Sequence, residues 1–180
     1  MNPHITPNFI QSKSITHESD LDGHISLSLR HLSAEYLIFQ DPAMVREFLF
    51  PCYLTWIPEI KKSNPFTVIE MDSDGYIGEL IPLWIEAGFN CCSPAEVAAS
   101  NDIVEYRRIY GKKIGYRGGI DKRTIAGGGK TVKEEVLRVV PPLLREGGFI
   151  PSCDHGVPPD ISWQNCVDYS RLLAKLTGWL

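Results

Sequence analysis

The stretch Phe66-Thr67-Val68-Ile69-Glu70-Met71-Asp72-Ser73-Asp74-Gly75 runs from an apolar segment into a tight, acidic turn closed by glycine. A helix-like stretch follows, and the same arrangement returns three more times before residue 160. The apolar runs are 66–71, 89–93, 113–118 and 149–153. The turns after them read Asp72-Ser73-Asp74-Gly75, Pro94-Ala95-Glu96, Gly119-Ile120-Asp121-Lys122 and Asp154-His155-Gly156-Val157-Pro158-Pro159. Strands alternating with helices at this spacing predict an α/β fold with a parallel sheet. Reactive side chains placed just past each strand are how (β/α)8 barrels build a site. A whole barrel needs about 250 residues, so 180 residues predict a partial (β/α)8 TIM barrel, its last four βα units.

The helices between the runs carry their own punctuation. Asp41-Pro42 reads as an N-cap with proline at the first helical position. The stripe Met44, Val45, Phe48, Leu49, Tyr53, Trp56 and Ile57 follows, with Pro51 expected to kink it. A helix over 77–87 closes at Gly88, and one over 102–110 at Gly111. Thr131 with Glu134 three residues on predicts a capping box, and Pro141-Pro142 predict a bend or break near the end of that helix. A last helix is expected over 162–176. Residues 1–40 show no sustained period and are expected to be irregular, although 29–39 could form a helix or a strand. One domain over 41–180 follows.

Composition narrows the partners. A formal charge of −4 and a pI near 5.7 argue against a nucleic-acid partner, which calls for a basic face. No apolar run approaches the ~20 residues of a membrane span, and residues 1–20 lack the apolar core of a signal peptide. A cytoplasmic location is the expectation. Five cysteines form no CxxC pair, and Cys91 and Cys92, inside an apolar run, read as buried thiols. Gly127-Gly128-Gly129-Lys130-Thr131 lacks the spacing of a phosphate-binding loop.

Four sets of residues carry potential chemistry. Asp72 and Asp74, one residue apart at a strand end, can bind a cation or share a proton, or simply cap the next helix. His155 is the one histidine beyond residue 31, placed at the mouth of the last strand, where it can ligate metal, donate a hydrogen bond or shuttle a proton. Cys153, two residues earlier, is a candidate second ligand. Gly118 and Gly119 stand where backbone turns sharply or approaches a ligand; Glu96, Asp121, Lys122 and Arg123 are candidate substrate contacts, the basic pair for an anionic group.

Together these motifs, with Ile81-Pro82-Leu83-Trp84, Ala87-Gly88 and Tyr110-Gly111-Lys112-Lys113, resemble the C-terminal half of the uroporphyrinogen decarboxylase superfamily over about 41–176. The resemblance implies a barrel with its cavity at the C-terminal rim. It also implies one of two activities, porphyrinogen decarboxylation or cobamide-dependent methyl transfer. The decarboxylases' glycine-flanked histidine matches Asp154-His155-Gly156, while their N-terminal arginines and catalytic aspartate find no match. The methyltransferases' zinc ligands fall on Asp72, Asp74 and His155, a harder, oxygen-rich set that would bind Zn2+ less tightly than thiolates do, would not favour a thiolate-activated acceptor, and leaves open Zn2+ or another divalent metal. Implied partners are a tetrapyrrole or methylated small molecule and, for methyl transfer, a corrinoid on a partner protein. The alternative expectation is a catalytically silent half-barrel that pairs with itself, as a homodimer closing the barrel, or with another chain.

Overall fold

A computed structural model describes residues 26–30 and 41–180. Expectations for the remainder of 1–40 lie outside the described residues. Five parallel strands form one sheet: β1 (Ser26–Arg30), β2 (Val68–Ser73), β3 (Cys91–Pro94), β4 (Gly115–Ile120) and β5 (Phe149–Cys153). Four correspond to the predicted runs, each shifted by no more than two residues at either end. β1 is an addition: it lies in the segment expected to be irregular and pairs with β2, Ser26 opposite Val68 and Arg30 opposite Asp72.

The strands stand in chain order, β1-β2-β3-β4-β5. Right-handed crossovers between strands in that order put every connecting helix on one side of the sheet. That is the arrangement of a barrel wall rather than of a sheet wound on both faces. Alternation along each strand then sorts the side chains. Ile69, Met71, Cys92, Tyr116 and Ile120 enter the core beneath the helices. Val68, Glu70, Asp72, Cys91, Ser93, Arg117 and Ile150 take the opposite, inner face by the same alternation and register.

Local chemistry explains where the helices begin and end. Asp41 caps α1 (Pro42–Met44), its carboxylate accepting from the Ala43 amide at 2.7 Å. Instead of a simple kink, the chain widens into a π-helical turn, Val45–Leu49, before α2 (Phe50–Ser63). Pro51 has no amide for the carbonyl four residues back, and the wider turn lies directly before it. α3 (Ile81–Ala87) begins later than expected, because Pro82 favours the first turn, and it ends at Gly88 in the left-handed region, φ 101°.

α4 (Ile103–Tyr110) is capped by Asp102, and α5 (Lys122–Gly127) by Asp121. α6 (Gly129–Glu146) differs from expectation twice. It starts before Thr131, whose hydroxyl donates back to the Gly128 carbonyl at 2.7 Å and caps nothing. It also continues through Pro141 and Pro142, with Val139, Val140 and Leu143 buried against the sheet. Core packing there outweighs two missing hydrogen bonds. α7 (Trp163–Thr177) starts at Ser162, which accepts from the Asn165 amide. No helix among the described residues is long and apolar enough to cross a membrane.

Candidate functional site

Parallel strands in sequential order bring all their C-terminal ends to one rim, and the loops leaving β2, β3, β4 and β5 meet there. Asp74, one residue past β2, faces His155, two residues past β5, with Oδ1 3.9 Å from Nδ1. That separation exceeds a formed hydrogen bond but suits a pair that closes on a ligand. Beside it, Glu96 after β3 and Lys122 at the start of α5 form an ion pair at 2.9 Å, both about one-fifth exposed. The Lys122 hydrogen bond holds the Glu96 carboxyl below its ordinary range, with the charge of His155 contributing, and the same bond raises Lys122.

Asp121 accepts from the Arg123 amide and from its guanidinium. Burial pushes its carboxyl up, but the Arg123 hydrogen bonds and charge outweigh that and hold it low. Asp121 and Arg123 thus satisfy each other, although the Arg123 side chain remains 61% exposed. Gly119 has φ +71°, and a side chain there would collide with Ile103 of α4. Packing accounts for that glycine.

The expected metal set is not assembled. Among the described residues, no three His, Cys, Asp or Glu side chains are grouped to hold an ion. Asp74 and His155 approach each other. Asp72, still within β2, lies near Arg117 and raises its pKa after the larger effect of Glu70. Cys153 packs against the helix-side core, and burial pushes its thiol up, away from the thiolate a metal needs. The strand ends separate these residues: Asp72 and Cys153 lie within β2 and β5, whereas Asp74 and His155 lie in the loops beyond, where the alternation that would keep residues two apart on one face no longer holds. The donors present therefore do not fit the zinc centre that the methyltransferase resemblance implies.

No known protein-family profile matches the chain, and no curated protein matches it. Among solved structures it is similar to a methyltransferase from Methanosarcina mazei, at 13% identity and a TM-score of 0.55. The likeness covers 86% of this chain and 42% of that one, so this chain spans less than half of the neighbour's length. At that identity the likeness carries the fold alone.

Three parts of the site were not anticipated. Glu70 and Arg117 form a two-pronged ion pair across the inner face, Nε to Oε1 at 2.7 Å and Nη2 to Oε2 at 3.1 Å. Arg117 also donates to the Ser93 hydroxyl at 3.1 Å. Opposite charges inside two otherwise strand-like runs were the available signal. Asn101 is buried with all four side-chain bonds made: it accepts from the Ile77 amide and Tyr106 hydroxyl, and donates to the Gly75 and Glu96 carbonyls. It ties the loop after β2 to the loop after β3. Asp154, fully buried, accepts from the amides of Val97 and Lys122 at 2.8 and 3.0 Å. Burial raises its carboxyl, with the two amides and Lys122 opposing.

Proposed function

We propose that this chain is a methyltransferase-like barrel domain whose rim binds a small polar acceptor and moves one proton through His155. The observation that carries the reading is the approach of Asp74 to His155 from opposite ends of the β2–β5 run, beside the Glu96–Lys122 pair. In the reaction an acceptor X–H attacks a methyl carbon. The X–CH3 bond forms, the donor leaves with the bonding electron pair, and the acceptor proton passes to the His155 imidazole. Asp74 stabilises the imidazolium so formed. Lys122 and Arg123 offer positive charge to an anionic part of the acceptor, and Glu96 and Asp121 hold those cations in place. The resemblance supplies the methyl donor, a corrinoid on a partner protein.

Methylcobalamin with 3-mercaptopropionate, whose carboxylate supplies the anionic part, as acceptor tests this. The full chain should raise the rate of methyl loss above background. Asp74→Asn should lower it about tenfold or more, and His155→Ala about a hundredfold or more, the range of a lost general base. Equal rates for both variants and the wild-type chain would overturn the assignment. Decarboxylation is the other named activity; turnover of a porphyrinogen by the same preparation would favour it.

A second reading rests on the inner face. Ile150 there is 57% exposed, and the sheet ends at β1 and β5 among the described residues. A second copy of the chain covering that face would bury it and the strand edges. A dimer by sedimentation, broken by Ile150→Lys, supports this pairing; a monomer at all concentrations removes it.

A further inference from the structure

The Glu96–Lys122 pair joins two loops that leave different strands, and neither side chain fixes its own backbone. Both backbones are instead tied to one carboxylate on a third loop. Asp154 Oδ2 accepts from the amide of Val97, the residue after Glu96, at 2.8 Å. Its Oδ1 accepts from the amide of Lys122 itself at 3.0 Å. Its own amide donates to the Ile120 carbonyl at 2.9 Å, locking β5 to the end of β4. The residue has no exposed surface, and the next residue in the chain is His155. One buried carboxylate therefore fixes the spacing of Glu96, Lys122 and His155.

From this we infer that Asp154 is a positioning residue, which aligns the Glu96–Lys122 pair beside His155 without touching a ligand. The role rests on the reading of the rim as the ligand site. Its physical logic is the use of a charged acceptor on two amides, bonds stronger than neutral ones and directional enough to set loop geometry. A neutral amide at the same position cannot do this, because its NH2 group would face one of the two N–H donors.

The test reads the pair directly, through acetylation of lysine amines in the full chain by an N-hydroxysuccinimide ester. Lys61, whose amine donates to the Gly88 carbonyl at 2.8 Å, serves as the internal reference. Asp154→Asn breaks one arm of the clamp but also removes a negative charge near Lys122. Val97→Pro is the decisive variant. It removes the Val97 amide donor, keeps the Asp154 charge, and places proline at the first position of a 3-10 turn, where it is tolerated. Glu96 before it already has the extended ψ of 113° that a following proline favours.

Both variants should raise Lys122 labelling about threefold or more relative to Lys61, since each unit lost from an amine pKa raises the free amine tenfold. Unchanged Lys122 labelling in Val97→Pro overturns the inference, even if Asp154→Asn shows a rise, because the rise is then only the lost charge. A parallel rise at Lys61 also overturns it, because the change is then general loosening. Should Asp154→Asn fail to fold, Val97→Pro alone decides. Neither measurement involves a methyl donor. Inactivity of the wild-type chain toward methylcobalamin would remove the proposed reaction and leave the clamp standing; unchanged labelling would remove the clamp and leave the reaction.

Discussion

Replacing Arg117 by methionine should cost far more stability than replacing its partner Glu70 by glutamine. The two side chains share one ion pair but differ in exposure: Glu70 is 7% exposed and Arg117 is 42% exposed. Arg117→Met leaves a buried carboxylate whose remaining hydrogen-bond partner among the described residues is the Cys91 thiol, Sγ 3.8 Å from Oε1. Stranding a fully buried charge costs about 3–5 kcal/mol; the water that reaches the Arg117 side reduces this to about 2–3 kcal/mol. Glu70→Gln instead strands a half-exposed guanidinium, which water solvates, and the glutamine oxygen still accepts one bond, so the loss is about 1 kcal/mol.

The double variant removes both charges and should recover about 1–2 kcal/mol relative to Arg117→Met alone. Urea unfolding, followed by the fluorescence of the buried Trp84, measures all three. If Arg117→Met costs no more than Glu70→Gln, or the double variant equals the sum of the singles, the pair is not held as described.

Two further outcomes follow from the rim and its support. Glu96 lies below its ordinary 4.5, so its stabilisation is present above that pH and lost as pH falls through the folded value. Lys122 lies above 10.5, so its part is present below that pH and lost on further rise. The stability gap between wild type and Lys122→Met, from urea midpoints, should therefore be widest near pH 7 and shrink towards pH 3; a constant gap contradicts the pair. Gly118→Ala should lower Tm by about 4–8 °C, for a loss of about 2 kcal/mol. Gly118 has φ +104°, and a Cβ there collides with the Pro94 carbonyl oxygen. An unchanged Tm would show that the β3–β4 contact relaxes freely.

The punctuation of this fold is readable residue by residue. Asp41, Asp102, Asp121 and Ser162 cap helices that the chain could announce, because a cap is a bond between a side chain and an amide two or three residues on. The π-helical turn before Pro51 and the passage of α6 through Pro141-Pro142 were less legible. There local preference competes with burial of the helix against a sheet whose position no local pattern gives. β1 was missed for the same reason: five residues become a strand when β2 is beside them.

At the rim, the sequence by itself determined which residues lie just past each strand, since that depends only on where apolar runs stop. Asp74, Glu96, Asp121, Lys122 and His155 were placed there on that ground alone. Only the tertiary structure decided who meets whom. Asp74 turns to His155 while Asp72 stays with Arg117, Cys153 turns to the core, and Asp154 and Asn101 disappear inside to tie the loops together. The physical reason is that strand pairing and register act across 26 to 81 residues of chain, joining side chains whose separation in sequence carries no sign of their contact.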